Sequence, residues 1–273
     1  MGTTADKLAL LAGTKADIKA ALTEKGRTPG DVFASYGDEV RAIETGGIDV
    51  KSIFEIKSNI ESIEKEMFKH CFNLISVNFP NATSIGGHAF EQCYNLSTIN
   101  FPMVASIGAW AFGGCTAHNT SFAFPSATYV GEYAFQSYQG QSIHLPVAES
   151  IGDSAFSTCN RITGIVFPAA TNIGNNCFSN CTGIEKMDLV AATTIGYDAF
   201  LSCAALSTLI LRASSVCILS HEKFFNTPIS AGTGFIYVPQ ILIEAYKTAP
   251  IWSVYANQFR AIEDYPEITG GAK

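Results

Sequence analysis

Cysteine and histidine are the side chains best suited to covalent, redox or metal chemistry, and this chain has eight of the first and five of the second. Spacing decides what they do. Cys71, Cys93, Cys115, Cys159, Cys181 and Cys203 each stand three residues after a recurring phenylalanine, Tyr138 fills that slot once, and Cys177 takes a position otherwise held by alanine. A residue that recurs in register is a packing column, and an unpaired thiol packs as a small apolar group. Side chains in register point in parallel, which suits disulfide torsion poorly, and no Cys-x-x-Cys or neighbouring His pair offers a zinc site. The expectation is a ladder of buried free thiols, with a disulfide or metal between rungs as the alternative. His70, His88, His118, His144 and His221 share no column that would bring them together. There is no Gly-rich phosphate loop, Gly-x-Ser-x-Gly elbow or His-Glu-x-x-His helix. No catalytic residue, cofactor or metal is therefore expected; hydrolysis of a surface glycan is the enzymatic alternative.

Recognition is the other chemistry that the spacing offers. Trp110 and Tyr133 fall in phase with His88, Ser154, Asn176 and Asp198, and Tyr197 stands beside the last. Exposed Trp and Tyr anchor partners because they bury much area at small entropic cost; the other reading of these rings is local packing over a turn. A second column, Asn78, Asn100, Ala123, His144, Val166, Asp188 and Ile210, is flanked two residues earlier by Ser76, Thr98, Ser121, Ser142, Gly164, Lys186 and Thr208. Its short side chains would make a flat face, either a meeting surface for a protein or glycan or simply a soluble sheet face. The candidate binding residues are thus Trp110, Tyr133, Tyr197, His88, Asn78, Asn100 and His144.

These columns exist because the chain repeats. Ile85-Gly86-Gly87-His88-Ala89-Phe90 returns as tracts beginning at Ile107, Val130, Ile151, Ile173 and Ile195, after a degenerate copy at Ile63, so that successive starts are 21 to 23 residues apart. Between them lie Leu74-x-x-Val77-x-Phe79-Pro80, Leu96-x-x-Ile99-x-Phe101-Pro102 and five further copies. The alternation ahead of the proline reads as a short strand with every second side chain inward, and proline cannot donate to a ladder. Glycine after the isoleucine allows a tight bend, and x-x-Ala-Phe-x-x-Cys has room for about one helical turn. No unit can bury its own apolar face, so the units must stack, Ile on Ile and Phe on Phe. The resulting fold class is a solenoid of short parallel strands, turns and short helices.

The pattern Leu-x-x-Ile-x-Phe-Pro-x-x-x-x-Ile-Gly-x-x-Ala-Phe-x-x-Cys resembles the BspA-like leucine-rich repeats of bacterial surface proteins, over roughly residues 50 to 215. The resemblance implies a leucine-rich-repeat solenoid used for adhesion or ligand binding, and names no ligand.

Caps are expected at both ends. Leu8, Leu11, Ile18 and Leu22 approach helical spacing, Thr3 with Asp6 offers a cap, Gly26 a stop, and Phe33, Tyr36, Val40 and Ile43 a second short helix. The domain reading is residues 1–46 as a helical cap or attachment segment, 47–215 as the solenoid, 216–264 as a C-terminal cap and 265–273 as a frayed tail. Within the cap, Phe235–Val238 reads as a strand, Ile241–Lys247 as a helix, and Trp252 and Tyr255 as bulky cover. Lys7 to Ala21 together with Phe33, Tyr36, Val40 and Ile43 also resembles leader segments of bacteriophage tail and virion-appendage proteins. That resemblance implies a virion component that contacts a host surface.

Composition narrows the partners. A net charge of −7, with only 15 % of residues charged, argues against nucleic acid or an anionic membrane, which need clustered Lys and Arg. No run of apolar residues is long enough to span a bilayer. The start Met1-Gly2-Thr3-Thr4-Ala5-Asp6 shows no export signal, which fits release by lysis or a trimmed leader. The expectation is a non-enzymatic recognition protein, a virion appendage binding a host protein or glycan or other virion proteins, as a homo-oligomer. The alternative is a bacterial cell-surface adhesin.

Overall fold

The computed structural model describes residues 54–57, 59–220 and 224–269; the N-terminal segment, with the two helices and virion-like motif expected there, lies outside them. From Phe54 to Leu219 each coil contributes a longer strand and then a two-residue strand, with turns between coils. The two-residue strands line up as one eight-stranded parallel sheet running from Ser62–Ile63 to Ile218–Leu219. Its register places Ile63 beside Ile85, Ile85 beside Ile107, and so on through Val130, Ile151, Ile173 and Ile195 to Leu219. This is the stacking that the 21- to 23-residue period demands.

The longer strands form the opposite wall. They fall into parallel groups of three (Phe54–Lys57, Leu74–Asn78, Thr98–Asn100), two (Ser121–Ala123, Ser142–His144) and five (Gly164–Val166, Lys186–Leu189, Thr208–Leu211, Phe235–Val238, Phe259–Ala261). In five successive coils the strand stops two residues before a proline, from Pro80 to Pro168; where Val190 and Arg212 replace proline, it runs one residue further. The breaks between groups follow from chain length. Relative to its neighbours, the coil from Cys115 to Phe122 has one extra residue and the coil from Tyr138 to Ile143 one fewer, and neither has the Leu seen at position 74 or 96. Tyr138 fills the space left, its ring 5.0 Å from Phe122 and its hydroxyl 2.8 Å from that of Thr120. Gly140 makes room for it, since a Cβ there would sit 2.1 Å from the Tyr138 oxygen.

The turn is not the single helical turn that the spacing suggested. In each of the seven turns from Glu66 to Ser202 two residues adopt left-handed φ, for example His88 and Gln92 at 58°, so a right-handed helix cannot propagate. Amides therefore alternate. Ala89, Glu91 and Cys93 donate back within the turn to Gly86, His88 and Phe90, while His88, Phe90 and Gln92 donate to Ala109, Ala111 and Gly113 of the next coil at 2.7–2.8 Å. The turn is thus a third hydrogen-bonded wall. The repeat glycine also serves a different purpose from the bend expected of it. Gly86, Gly108, Gly131, Gly152, Gly174 and Gly196 do not have left-handed φ; a Cβ at Gly174 would lie 2.5 Å from the carbonyl carbon of Gly152 and 2.6 Å from the nitrogen of Asp153. Glycine is there because the backbones of adjacent coils touch.

Inside the three walls runs one core. The rings of Phe68, Phe90, Phe112, Phe135, Phe156, Phe178, Phe200 and Phe224 stand in single file with centroids 5.2–5.7 Å apart and planes within 17°. A second file, Phe79, Phe101 and Phe124, packs obliquely against it. All eight cysteines are buried and free. Five of the column thiols donate to the carbonyl of the repeat Phe one coil earlier, as Cys93 does to Phe68 at 3.1 Å and Cys181 to Phe156 at 2.9 Å. The column is cysteine because the slot needs a small apolar group with one weak donor.

At the C-terminal end the file is closed by aromatic cover. A 3-10 turn at Gln240–Leu242 leads into the helix Ile243–Thr248, and a 3-10 segment spans Trp252–Gln258. Trp252 and Tyr255 lie against Phe224 at 6.0 and 5.3 Å, and the Trp252 indole donates to the Cys217 carbonyl at 2.6 Å. Pro266–Thr269, expected as part of a frayed tail, instead form a 3-10 turn tied back to the sheet.

Candidate interaction surfaces

Three of the seven candidate residues meet in the turn column. His88, Trp110 and Tyr133 stack ring on ring, with centroids 6.2 and 4.6 Å apart and planes tilted by 3° and 20°. Each has a left-handed φ, 58°, 60° and 55°, a conformation costly for bulky residues; mutual stacking offsets that cost. The indole also lies down over the turn, since a Cβ on Gly113 would come within 2.8 Å of its Cε3. Both faces of Trp110 are therefore covered by neighbours and its edge is what remains outward. The His88 Nδ1 lies 2.7 Å from a Glu91 oxygen that also meets Lys69 at 2.8 Å. Burial alone would raise the Glu91 carboxyl, but the hydrogen bonds and charges of Lys69 and His88 outweigh it and hold it below its ordinary value. Tyr197 stands three coils beyond Tyr133, exposed, its backbone amide bonded to the Asn175 side chain at 2.8 Å.

Asn78, Asn100 and His144 lie on the outer side of the longer strands, as the period-two pattern requires. Asn100 donates to the Asn78 side-chain oxygen at 2.8 Å across neighbouring strands. Two coils further, Ser142 donates to Ser121 at 2.9 Å beside the exposed His144. From Ser76 to His144 this face carries short hydroxyls and amides, with Thr98, Asn100, Ser121, Ala123 and His144 exposed. Little side-chain entropy would be lost on covering it.

The same face is different beyond His144. Ile210, expected to face solvent, is fully buried, and its strand neighbour Tyr237 is 6 % exposed. Asp188, on the other side of Ile210, holds Arg212 through a bidentate pair at 2.9 and 2.7 Å. Sequence reasoning missed this end of the face. Tyr265 to Ile268, which meet Tyr237 and Lys186 on this face, belong to no repeat, and no periodic signal points to them.

Among the described residues no group of three or more His, Cys, Asp or Glu side chains could hold a metal ion, and no helix is long and apolar enough to cross a membrane. Parallel coils stacked on one core, with the candidate residues at outward strand and turn positions, define a leucine-rich-repeat solenoid. The chain belongs to the BspA type leucine rich repeat family, whose model matches residues 49–148 and 105–231. No curated protein matches the chain. Among solved structures it is similar to a leucine-rich repeat protein from Bacteroides ovatus, at 19 % identity and a TM-score of 0.52 over 68 % of this chain and 61 % of that one. It is also similar to a leucine rich cell surface protein from Faecalibacterium prausnitzii (20 % identity, TM-score 0.42, 62 % and 63 % covered) and to the T. pallidum leucine rich repeat protein (20 %, 0.48, 77 % and 86 %). The chain thus spans less than two thirds of the first two. At these identities the likeness to the Bacteroides ovatus structure establishes the fold alone.

Proposed function

We propose that the chain is a non-enzymatic recognition protein acting at a cell surface, and that it engages a protein or glycan through the outer face of the longer strands between Ser76 and His144. The observation that carries this reading is the face itself. Its side chains are mostly short and polar, exposed or half-buried, and neighbours are tied by the Asn78–Asn100 and Ser121–Ser142 bonds. An amide has four hydrogen-bonding positions and a hydroxyl three, so one mutual bond leaves each pair able to meet hydroxyl-rich or peptide surfaces. The virion-appendage reading rests only on the resemblance within residues 7–43, which lie outside the described ones, and no compared protein supports it.

The test is binding to an array of immobilised glycans and surface proteins. Asn100→Arg combined with His144→Glu, both at exposed positions, is expected to leave thermal unfolding unchanged and to weaken capture by about tenfold or more, the scale of one lost interaction of about 1.4 kcal/mol. Trp110→Ala is expected to leave capture intact. Loss of capture on Trp110→Ala, with the face variant unaffected, would move the site to the turn column and overturn this reading.

A further inference from the structure

The covered end of the sheet face is a separate matter from the open end. Ile210 and Tyr237 point away from the Phe core, across the sheet from it, and yet both are buried. The segment on that side is the chain's own Ile262–Thr269. Tyr265 meets Tyr237 edge to face at 5.4 Å, and the Lys186 ammonium donates to the Ile268 carbonyl. The hinge is pinned where the Glu263 carboxylate accepts from the Gln240 amide at 2.9 Å.

We propose that Ile262–Thr269 is a displaceable strap, and that the sheet face beneath it is a docking site for an extended acidic peptide of a partner carrying a tyrosine. The proposal stands apart from the reading of the open face. Charge complementarity supports it. The strap presents Glu263, Asp264 and Glu267, whereas the face offers Lys186 and Arg260, the latter stacked 4.3 Å over the Phe235 ring. The Tyr237 hydroxyl is held protonated above its ordinary range by burial first, then by Tyr265 and by the nearby Glu267, against the pull of Arg260. Attachment is light. Only Ile262, Tyr265 and Ile268 are half-buried among the described strap side chains, while Glu263, Asp264, Pro266 and Glu267 are exposed. Beyond the Glu263 pin at the hinge, the Tyr265 ring contact and the Lys186 bond to a backbone carbonyl are contacts that a short peptide can offer in trans.

The probe is a fluorescein-labelled peptide with the sequence of residues 262–269, titrated into the full-length protein and followed by fluorescence anisotropy. A site closed in cis lowers apparent affinity by the fraction of open molecules, so Tyr265→Ala is expected to bind the peptide about tenfold more tightly than the unaltered chain. Ile268→Asp, which frees the other end of the strap, gives the same gain, and Lys186→Glu added to either variant removes it. Circular dichroism of Tyr265→Ala stays unchanged, because Tyr265 lies across the sheet from the core. The proposal is overturned by equal binding to the unaltered and released chains, by a gain that survives Lys186→Glu, or by equal binding of a peptide with its acids changed to amides.

Discussion

Raising the pH above 9 is expected to unfold the protein abruptly. Burial holds the thiols of Cys71, Cys93, Cys115, Cys177, Cys181, Cys203 and Cys217 protonated above their ordinary value of 9.0, Cys71 and Cys217 up to about 12. Once the chain unfolds, the same thiols ionise near the ordinary value. The unfolded state therefore binds fewer protons than the folded one at alkaline pH, and stability falls as pH rises. The thiols' contribution is complete below the ordinary value and drains away toward the folded-state value. Each thiol removes about 1.4 kcal/mol per pH unit in that window. Seven together remove about 10 kcal/mol per unit, comparable with the about 5–15 kcal/mol that holds a typical domain folded. Tyr138 and Tyr246, also held protonated chiefly by burial, add to the loss once their ordinary value of 10.0 is passed. Circular dichroism against pH is expected to show one steep transition at about pH 9 to 11, reversible on prompt return to neutrality under reductant. Retention of the fold to pH 12 would contradict the account of the thiol column.

Phe135→Ala should be the most damaging single truncation in the solenoid. Its ring lies between Phe112 and Phe156, each 5.3 Å away and within 4° of parallel, and touches Phe124 at 5.7 Å and Tyr138 at 6.2 Å. All of these side chains are buried. Removing the ring costs its transfer energy and leaves a cavity that the fixed backbone spacing of the coils cannot close, a loss of about 3–5 kcal/mol. Position adds to the effect. Coils touch only their neighbours, so a gap in the middle uncouples two halves of the stack, next to the place where the longer-strand sheet is already interrupted. Denaturant titration is expected to show a lower midpoint and a transition broadened into two steps. A loss below about 1 kcal/mol would mean that the Phe file does not carry the stack.

What repeats was legible; what is singular was not. The Phe file, the Cys column and the outward Asn78, Asn100 and His144 follow directly from period and alternation, because equal residues at equal intervals must stack. The insertion and deletion around Cys115 and Tyr138 were visible as unequal spacing. That Tyr138, Phe122 and Gly140 would trade volumes to absorb them was not, since the trade crosses coils. The turn misled because its left-handed positions are mixed in type: Asn176, Asn180 and Asp198 favour that region, whereas Trp110 and Tyr133 do not and yet adopt it, their amides bonding to the next coil. The repeat glycine misled for a related reason, its role being set by the neighbouring coil and not by its own. Ile210 is buried beside Tyr237, and the residues that meet this part of the face, Tyr265 and Ile268, are more than fifty residues away and outside any repeat. Trp110 and Tyr133 were picked out by type as anchors; their stacking gives the same two residues a packing role that type alone did not distinguish.

The claim beneath all of this is that one dry interior runs unbroken through the coils and leaves only the outer walls for binding. Mass spectrometry after alkylation, with no reductant at any step, tests it most directly. Native protein at neutral pH should take up no label on its eight buried thiols, and denatured protein should take up label on all of them. Thiols that stay blocked in pairs after denaturation, or Cys93, Cys115 or Cys181 labelled in the native state, would contradict it.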